Sequence, residues 1–318
     1  MALPDGPLTK PGVPRVGLGL AALGRPAYIT LGRATDLGDD RPVELMEART
    51  HEVLDAAWDA GVRYLDAARS YGYSERFLGS WLAAHPERRT RLVVGTKWGY
   101  RYVAGWRMDV AVHEVKEHSP AMFDTQWPQT LAALGGAPDI ENVHSVTPDS
   151  PALTDHELLA RFRDLVAQGV RVGFSTSGPR QGDAIDAALA IPDSPFSVVQ
   201  ATWNALEPSS GAALGRAHDA GWFVVVKEAV ANGRLTPDGD EPAHAALAEQ
   251  DGQAPDALAI GWALAQPFVD LALSGAVTVD QLRSNLAARP PRTAPAAFAA
   301  LAEPPERYWA ERSALPWT

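Results

Sequence analysis

Short apolar segments alternate with longer amphipathic segments along most of the chain, and this alternation restricts the fold more than any other feature of the sequence. A glycine separates a helix-like segment from the apolar segment after it at three places, Gly61, Gly169 and Gly221. Glycine is common just after a helix because it adopts the left-handed conformation at little cost. The apolar segments are typical of strands buried in a parallel sheet. They cover residues 16–20, 62–65, 92–96, 140–144, 170–174, 197–200, 222–226 and 269–273.

Strands that alternate with helices of about 10–15 residues indicate βαβ units. Over 318 residues, eight such units predict an α/β fold, a closed (β/α)8 TIM barrel with long loops at its C-terminal face. A doubly wound open sheet is the alternative, although no G-x-G-x-x-G sequence opens a predicted helix. We expect residues 1–318 to form a single barrel domain, with residues 290–318 as a C-terminal extension that packs on the barrel.

The composition argues against several classes of protein. A net charge of −11 opposes binding to nucleic acid or to an anionic membrane surface. The absence of cysteine removes disulfides and thiolate chemistry. Residues 1–13 contain no apolar run typical of a signal peptide, no run is long enough to cross a membrane, and the histidines show no metal-site spacing. We therefore expect a cytoplasmic protein without a metal that acts on a small molecule. The oligomeric state is not predicted.

Ionisable side chains occur where three consecutive predicted strands end. Asp66 follows the second strand, Lys97 follows the third and His144 ends the fourth, while Tyr71 lies in the loop after Asp66. Active sites of (β/α)8 barrels lie at this face. An ammonium lowers the pKa of a neighbouring phenol, and a neutral histidine can donate a hydrogen bond to a carbonyl oxygen. Together, these residues are suited to protonating a carbonyl oxygen.

The segment around Asp66 and Tyr71 resembles the signature of the aldo-keto reductases. It reads Gly-Val-Arg-Tyr-Leu-Asp-Ala-Ala from Gly61, followed by Ser-Tyr-Gly at residues 70–72 and Ser-Glu at residues 74–75. The resemblance extends over roughly residues 15–290 and implies a barrel that binds NADPH, with NADH as the alternative, in an extended pose without a Rossmann domain. Further segments similar to that family are residues 96–99, 139–144, 172–176, 199–204 and 275–285.

The resemblance also implies residue roles in the NAD(P)H-dependent reduction of an aldehyde or ketone to an alcohol. Tyr71 would be the proton donor, and His144 would orient the carbonyl group. Lys97, paired with Asp66, would lower the pKa of the Tyr71 phenol. The implied cofactor-binding residues are Gly19, Ser175, Thr176, Gln200, Lys227, Ser274, Gly275, Ala276, Gln281 and Asn285.

Two residues depart from the family pattern after the seventh strand. Lys227 stands where the family usually has an aromatic residue stacked on the nicotinamide, and Glu228 stands where a serine usually contacts the pyrophosphate. Each charge would repel its neighbour in the cofactor unless the two side chains pair with each other. Two other functions therefore stay open. One is a non-redox isomerase, dehydratase or cyclase that uses Lys227 with Tyr71 and His144, and the other is a nicotinamide-binding regulatory subunit.

The segment from Trp98 to Ser119 is long, aromatic and placed after the third predicted strand. We interpret it as a loop that covers the substrate, with a loop packed on its own aromatic side chains as the alternative. Residues 228–242 form a second long loop. The predicted substrate pocket consists of Trp98, Tyr100, Trp106 and Trp203.

Overall fold

Eight parallel strands close into a barrel in the computed structural model, which describes residues 6–31, 36–38 and 41–317. The first barrel strand pairs with the last in the register Val16 to Ala272. This closure confirms the predicted (β/α)8 barrel and excludes the open sheet. The strands are β1 (Val16–Gly19), β2 (Tyr64–Asp66), β3 (Val93–Trp98), β4 (Tyr100–Tyr102), β5 (Glu114–Lys116), β6 (Ile140–Val146), β7 (Arg171–Thr176), β8 (Phe196–Thr202), β9 (Phe223–Lys227) and β10 (Leu271–Ser274), of which β4 and β5 form a separate antiparallel pair.

Helices follow the barrel strands and cover the outside of the barrel. Residues 1–5 of the segment considered for a signal peptide, and Thr318 of the predicted extension, lie outside the described residues. The helices are α1 (Val43–Asp59), α2 (Ser74–Ala84), α3 (Pro120–Leu134), α4 (His156–Ala167), α5 (Gln181–Leu189), α6 (Gly211–Asp219), α7 (Pro242–Asp251), α8 (Pro255–Leu264), α9 (Val279–Leu286), α10 (Pro295–Ala299) and α11 (Pro305–Ala314).

Helix α4 shows why these segments are helical. Asp155 caps its N-terminus by accepting hydrogen bonds from the backbone N–H groups of Glu157 at 2.8 Å and Leu158 at 3.0 Å. Gly169, with a φ of 88°, follows the helix and turns the chain towards β7. The buried side chains recur at helical spacing, and each contributes roughly 1.5–3 kcal/mol when fully buried. They are Leu158, Leu159, Phe162 and Leu165.

The interior of the barrel is apolar at the end where the strands begin. Tyr64, Val93, Ile140 and Leu271, each the first residue of its strand, are buried in one cluster there. At the opposite end, Asp66 is the last residue of β2, Lys97 the second-last of β3 and Lys227 the last of β9. The fold therefore concentrates ionisable side chains at the face predicted from the sequence.

The segment predicted as a substrate-covering loop contains regular structure. Trp98 is the last residue of β3, and the hairpin strands β4 and β5 pair antiparallel with Tyr100 opposite Lys116. At the other end of the chain, the hydroxyl of Tyr308 in α11 accepts a hydrogen bond from Asn204 Nδ2 at 3.0 Å. The C-terminal helix thus contacts the loop after β8. The division of the chain into a barrel and an extension from residue 290 stays a prediction.

Candidate active site

A buried ion pair lies where β2 and β3 end. The Lys97 side chain is fully buried. Its ammonium pairs with Asp66 and donates a hydrogen bond to the carbonyl oxygen of Ala67 at 3.0 Å. The other Asp66 oxygen accepts from Gln200 Nε2 at 2.9 Å. The carboxylate is therefore held from two sides, and it fixes the position of the lysine in turn.

Tyr71 lies against this pair from the turn between β2 and α2. Gly72 allows the turn, because its φ is 59° and a Cβ there would lie 2.4 Å from the carbonyl oxygen of Gly24. The phenol ring centroid is 4.7 Å from Lys97 Nζ and 5.3 Å from the ring centroid of His144, which it meets edge-on. The structure thus brings together the four residues that the sequence singles out.

Burial controls the protonation of Tyr71 and His144. It raises the pKa of the Tyr71 phenol well above its ordinary value; the charge of Asp66 raises it further, and that of Arg25 opposes the rise. This net direction is opposite to that implied by the resemblance, because burial and the charge of Asp66 outweigh the opposing effect of Arg25. Burial also lowers the pKa of His144, and Lys97 and Arg25 lower it further. At neutral pH, Tyr71 is a protonated phenol and His144 a neutral imidazole.

A cavity of about 540 Å³ extends from these residues towards the ends of β9 and β10. Its volume lies within the range of about 300–1,000 Å³ found for small-molecule sites. Asp66, Tyr71 and His144 line it, whereas Lys97 lies behind Asp66. Most of the residues predicted to bind the cofactor also line it. They are Gly19, Gln200, Lys227, Ser274, Gly275, Ala276, Gln281 and Asn285.

Two predicted cofactor-binding residues, Ser175 and Thr176, do not belong to the cavity lining. Both are fully buried at the end of β7. Ser175 Oγ accepts from the backbone N–H of Ser145 at 2.8 Å, and Thr176 Oγ1 donates to Gln181 Oε1 at 2.8 Å. Since β7 continues through Thr176, the residue that reaches the cavity is Ser177. The strand was predicted, but the position of its last buried residue was not.

Glu228 pairs with an arginine from helix α11. Arg312 Nε lies 2.9 Å from Glu228 Oε2, and the guanidinium contacts both carboxylate oxygens. Thr202 Oγ1 donates to the same carboxylate at 2.9 Å and accepts from Lys227 Nζ at 2.6 Å. Lys227 Nζ also lies 3.5 Å from Glu228 Oε1. Lys227 and Glu228, the two residues that depart from the family pattern, therefore pair with each other, and Arg312 is an additional partner of Glu228.

The same contacts set the charges of this group. Burial would raise the pKa of the Glu228 carboxyl, but Arg312 and Lys227 outweigh it and hold that pKa at about 2. Burial lowers the pKa of the Lys227 ammonium to about 8, although Glu228 acts in the opposite direction. Glu228 is therefore ionised at neutral pH, and most of the Lys227 side chains are protonated.

Of the four residues of the predicted substrate pocket, the structure places one in the cavity lining. Tyr100 lines the cavity, and its ring centroid lies 4.9 Å from that of His144. Trp98, Trp106 and Trp203 do not belong to the cavity lining and pack against other aromatic rings. Large aromatic surfaces gain most from burial in the core, and the sequence does not show which side of the chain they face. The ring of Trp98 packs on Phe123 at 5.1 Å, that of Trp106 on Tyr73 at 4.9 Å and that of Trp203 on Phe268 at 5.8 Å.

Several lining residues were missed by reasoning from the sequence. Arg25 lies in the loop after β1, its guanidinium carbon 5.1 Å from the ring centroid of Tyr71, and it donates to Glu114 Oε2 at 2.9 Å. Its place after a strand could have identified it, as for Asp66. Arg312 and Trp317 also line the cavity. No sequence pattern marked these two residues, because they lie in the C-terminal segment and do not follow a barrel strand.

Within residues 6–31, 36–38 and 41–317, no group of three or more histidine, aspartate or glutamate side chains could hold a metal ion. No helix in that part of the chain has the length and apolar character needed to cross a membrane.

The model of the aldo/keto reductase family matches residues 28–302, which is most of the chain. The chain belongs to the aldo/keto reductase family. The family resemblance inferred from the signature around Asp66 is thereby confirmed.

Two curated relatives share a limited part of this aldo/keto reductase. D-threo-aldose 1-dehydrogenase from a Pseudomonas species is 40% identical over 93 residues, which are 29% of this chain and 25% of the relative. Pyridoxal 4-dehydrogenase from Microbacterium luteolum is 41% identical over 87 residues, 27% of this chain and 22% of the relative. The matched segments thus span about a quarter of the length of these relatives.

Solved structures share the fold over almost the whole aldo/keto reductase chain. A holo-form aldo-keto reductase from Bacillus halodurans has a TM-score of 0.69 and 21% identity, covering 92% of this chain and 93% of its own. A glycerol dehydrogenase from Gluconobacter oxydans has a TM-score of 0.67 and 22% identity, covering 95% and 94%. At these identities the likeness establishes the fold.

Proposed function

We propose that this protein reduces an aldehyde or ketone to an alcohol with a nicotinamide dinucleotide, and that Tyr71 donates the proton. The observation that carries the proposal is the position of Tyr71 and His144 in one cavity, against the buried ion pair of Lys97 and Asp66. The family assignment and the two curated relatives, each named a dehydrogenase, support an oxidoreductase.

The protonation states of the site suit this reaction. Tyr71 keeps its proton at neutral pH because burial raises the pKa of its phenol. Neutral His144 can donate a hydrogen bond to the carbonyl oxygen and hold it beside that phenol. The Lys97 ammonium, fixed by Asp66, would stabilise the phenolate that remains after proton donation. A bound reduced nicotinamide would supply the two electrons and the hydrogen for the carbonyl carbon.

The lining of the cavity beyond Tyr71 supports the binding of an extended dinucleotide. Asn232 Oδ1 is buried in the cavity wall and has no hydrogen-bond partner in the described part of the chain, so it can accept from a ribose hydroxyl. Ser274 and Asn285 line the far end, where Asn285 Nδ2 donates to Ser274 Oγ at 2.7 Å. These residues would hold the adenosine half.

The charges at that far end bear on the choice between NADPH and NADH. The resemblance favours NADPH, yet Asp36 and Asp256 line the cavity there. Asp36 accepts a hydrogen bond from Gln281 at 2.7 Å, which places its carboxylate beside a predicted adenosine contact. A 2′-phosphate would be repelled by these like charges. We therefore propose that NADH binds more tightly than NADPH.

Equilibrium titration of cofactor fluorescence tests the proposal directly. Wild-type protein should bind NADH, and NADPH more weakly, while the variant Tyr71→Phe should keep the affinity for NADH but lose the reduction of aldehydes. Tyr73→Phe is the matched control, since Tyr73 is 37% exposed and stacks on Trp106 outside the cavity lining. Binding of neither dinucleotide by the wild type would overturn the proposal.

The non-redox and regulatory alternatives rested on the charges of Lys227 and Glu228. The pairing of Glu228 with Arg312 removes much of the repulsion that a pyrophosphate would meet there. Turnover of a carbonyl compound without any added dinucleotide would favour the non-redox alternative. Cofactor binding without turnover of any carbonyl compound would favour the regulatory one.

A further inference from the structure

The Glu228 carboxylate contacts both a cation and a hydrogen-bond donor within the cavity wall. Arg312 contacts both of its carboxylate oxygens, and Thr202 Oγ1 donates to Oε2 at 2.9 Å. The Glu228 side chain is only 8% exposed. Glu228 and Arg312 therefore compensate each other's charge, and the carboxylate does not act as an isolated anion towards the cavity.

Lys227 is left with charge that this group does not balance. An ammonium has three N–H donors, and the described residues provide two acceptors, Thr202 Oγ1 at 2.6 Å and Glu228 Oε1 at 3.5 Å. The cations Lys227 and Arg312 and the one anion Glu228 together carry a net positive charge. Lys227 lines the same cavity as Tyr71 and His144. One donor and one unit of charge are thus available to a ligand.

The positive charge of Lys227 lies in a mostly buried position, where a charge that is not fully balanced destabilises the protein. The Lys227 side chain is 15% exposed, and the one carboxylate near its ammonium among the described residues, that of Glu228 at 3.5 Å, also pairs with Arg312. Burial of a cation whose charge is only partly balanced is destabilising. Lys97 and Arg312, the other cations near it, lower the pKa of Lys227 further beyond the effect of burial. An anion in the cavity would offset both effects.

We propose that Lys227, positioned by Thr202 and by the pair of Glu228 and Arg312, is an anion-binding site in the cavity wall. Its ligand is an anionic oxygen, supplied either by the pyrophosphate of the dinucleotide or by a carboxylate on the carbonyl substrate. Arg312 is a positioning residue, since without it Lys227 would be the only cation among the described residues that pairs with Glu228. The identity of these two ligands rests on the proposed function.

Equilibrium binding by calorimetry tests the site without turnover. The probes are NADH for the pyrophosphate, and 4-carboxybenzyl alcohol against 4-methylbenzyl alcohol for the carboxylate. Lys227→Met should weaken one anionic probe by about 10- to 100-fold, the loss expected for one charge-assisted hydrogen bond, whereas Lys227→Arg should retain most of the affinity. Lys10→Met is the matched control, because it removes the same charge from an exposed side chain.

Variants of Arg312 test its positioning role. Arg312→Met should weaken the same probe as Lys227→Met, because Glu228 then neutralises Lys227. Adding Glu228→Gln to Arg312→Met should restore the affinity, because Lys227 is again uncompensated. A purely structural role of Arg312 predicts no restoration. Circular dichroism checks that each variant is folded, and the Lys227 variants decide the proposal if the Arg312 variants do not fold.

Each outcome has one meaning. A loss confined to NADH assigns the site to the cofactor, and a loss confined to the carboxylate probe assigns it to the substrate. Affinities of Lys227→Met that stay within about threefold of wild type for both probes overturn the proposal. If the wild type reduces no carbonyl compound but Lys227→Met still weakens a probe, the proposed function fails and the anion site stands.

Discussion

Replacing Lys97 with methionine should destabilise the protein by about 3–5 kcal/mol, because it leaves the Asp66 carboxylate buried without its counter-ion. The two side chains are 0% and 3% exposed, so solvent does not screen the lost interaction. Gln200 still donates to Asp66 at 2.9 Å, which places the expected cost near the lower end of that range. Asp66→Asn should cost a similar amount, because only the carbonyl oxygen of Ala67 and the new amide remain for the ammonium.

The double variant Asp66→Asn/Lys97→Met removes both charges together. Replacing a buried ion pair with uncharged residues of similar volume is often close to neutral, so the double variant should be more stable than either single variant. Urea unfolding followed by tryptophan fluorescence gives the free energies of unfolding of the wild type and the three variants. If the double variant loses the sum of the two single losses, the ion pair is not the coupled unit described above.

Activity should follow a different pattern across the same cycle. The double variant regains stability but still lacks the ammonium that we propose stabilises the Tyr71 phenolate. Reduction of an aldehyde should therefore remain impaired in all three variants, whereas the affinity for NADH should change little. Recovery of aldehyde reduction in the double variant would contradict the proposed role of Lys97.

Three further predictions concern other parts of the site. Tyr71→Phe should lower kcat for reduction by about 10²- to 10⁴-fold. Alcohol oxidation by the wild type needs the Tyr71 phenolate, so its rate should increase as pH rises, because the pKa of Tyr71 is raised. The depressed pKa of Glu228, about 2, gives a stabilisation that is present at neutral pH and lost as pH falls from about 4.5 through about 2; Glu228→Gln should flatten the acid limb of the unfolding free energy. Gly72→Ala should destabilise more than Gly135→Ala, measured by urea unfolding, since both have positive φ but only the first Cβ would overlap a backbone atom, the oxygen of Gly24.

The barrel was predictable because its signals are local. Gly169 and Gly221 mark the boundary between helix and strand, and the apolar segments after them become β7 and β9. Residues at the ends of barrel strands lie at the C-terminal face, so the strand positions alone predicted that Asp66 and His144 share that face. These features depend on a few neighbouring residues, so a single sequence contains them.

The rest of the site depends on contacts between distant parts of the chain. Arg312 lies 84 residues after Glu228, and no local pattern in the tail marks it as its partner. The direction of the Tyr71 pKa shift depends on complete burial, which the sequence does not reveal. Trp98 and Trp106 were assigned to the pocket by residue type, although type alone does not show which neighbours an aromatic ring will contact.

The pairing of β1 with β10 joins Val16 to Ala272, so the barrel closes only when both ends of the βα array are in place. Such pairing has high contact order, and contacts of this kind form slowly. The hydrogen bond from Gln200 to Asp66 also joins residues 134 positions apart. A refolding intermediate with native helices but an open sheet would lack it. Recovery of aldehyde reduction during refolding should therefore lag behind the recovery of helical circular dichroism and report the closure of the barrel.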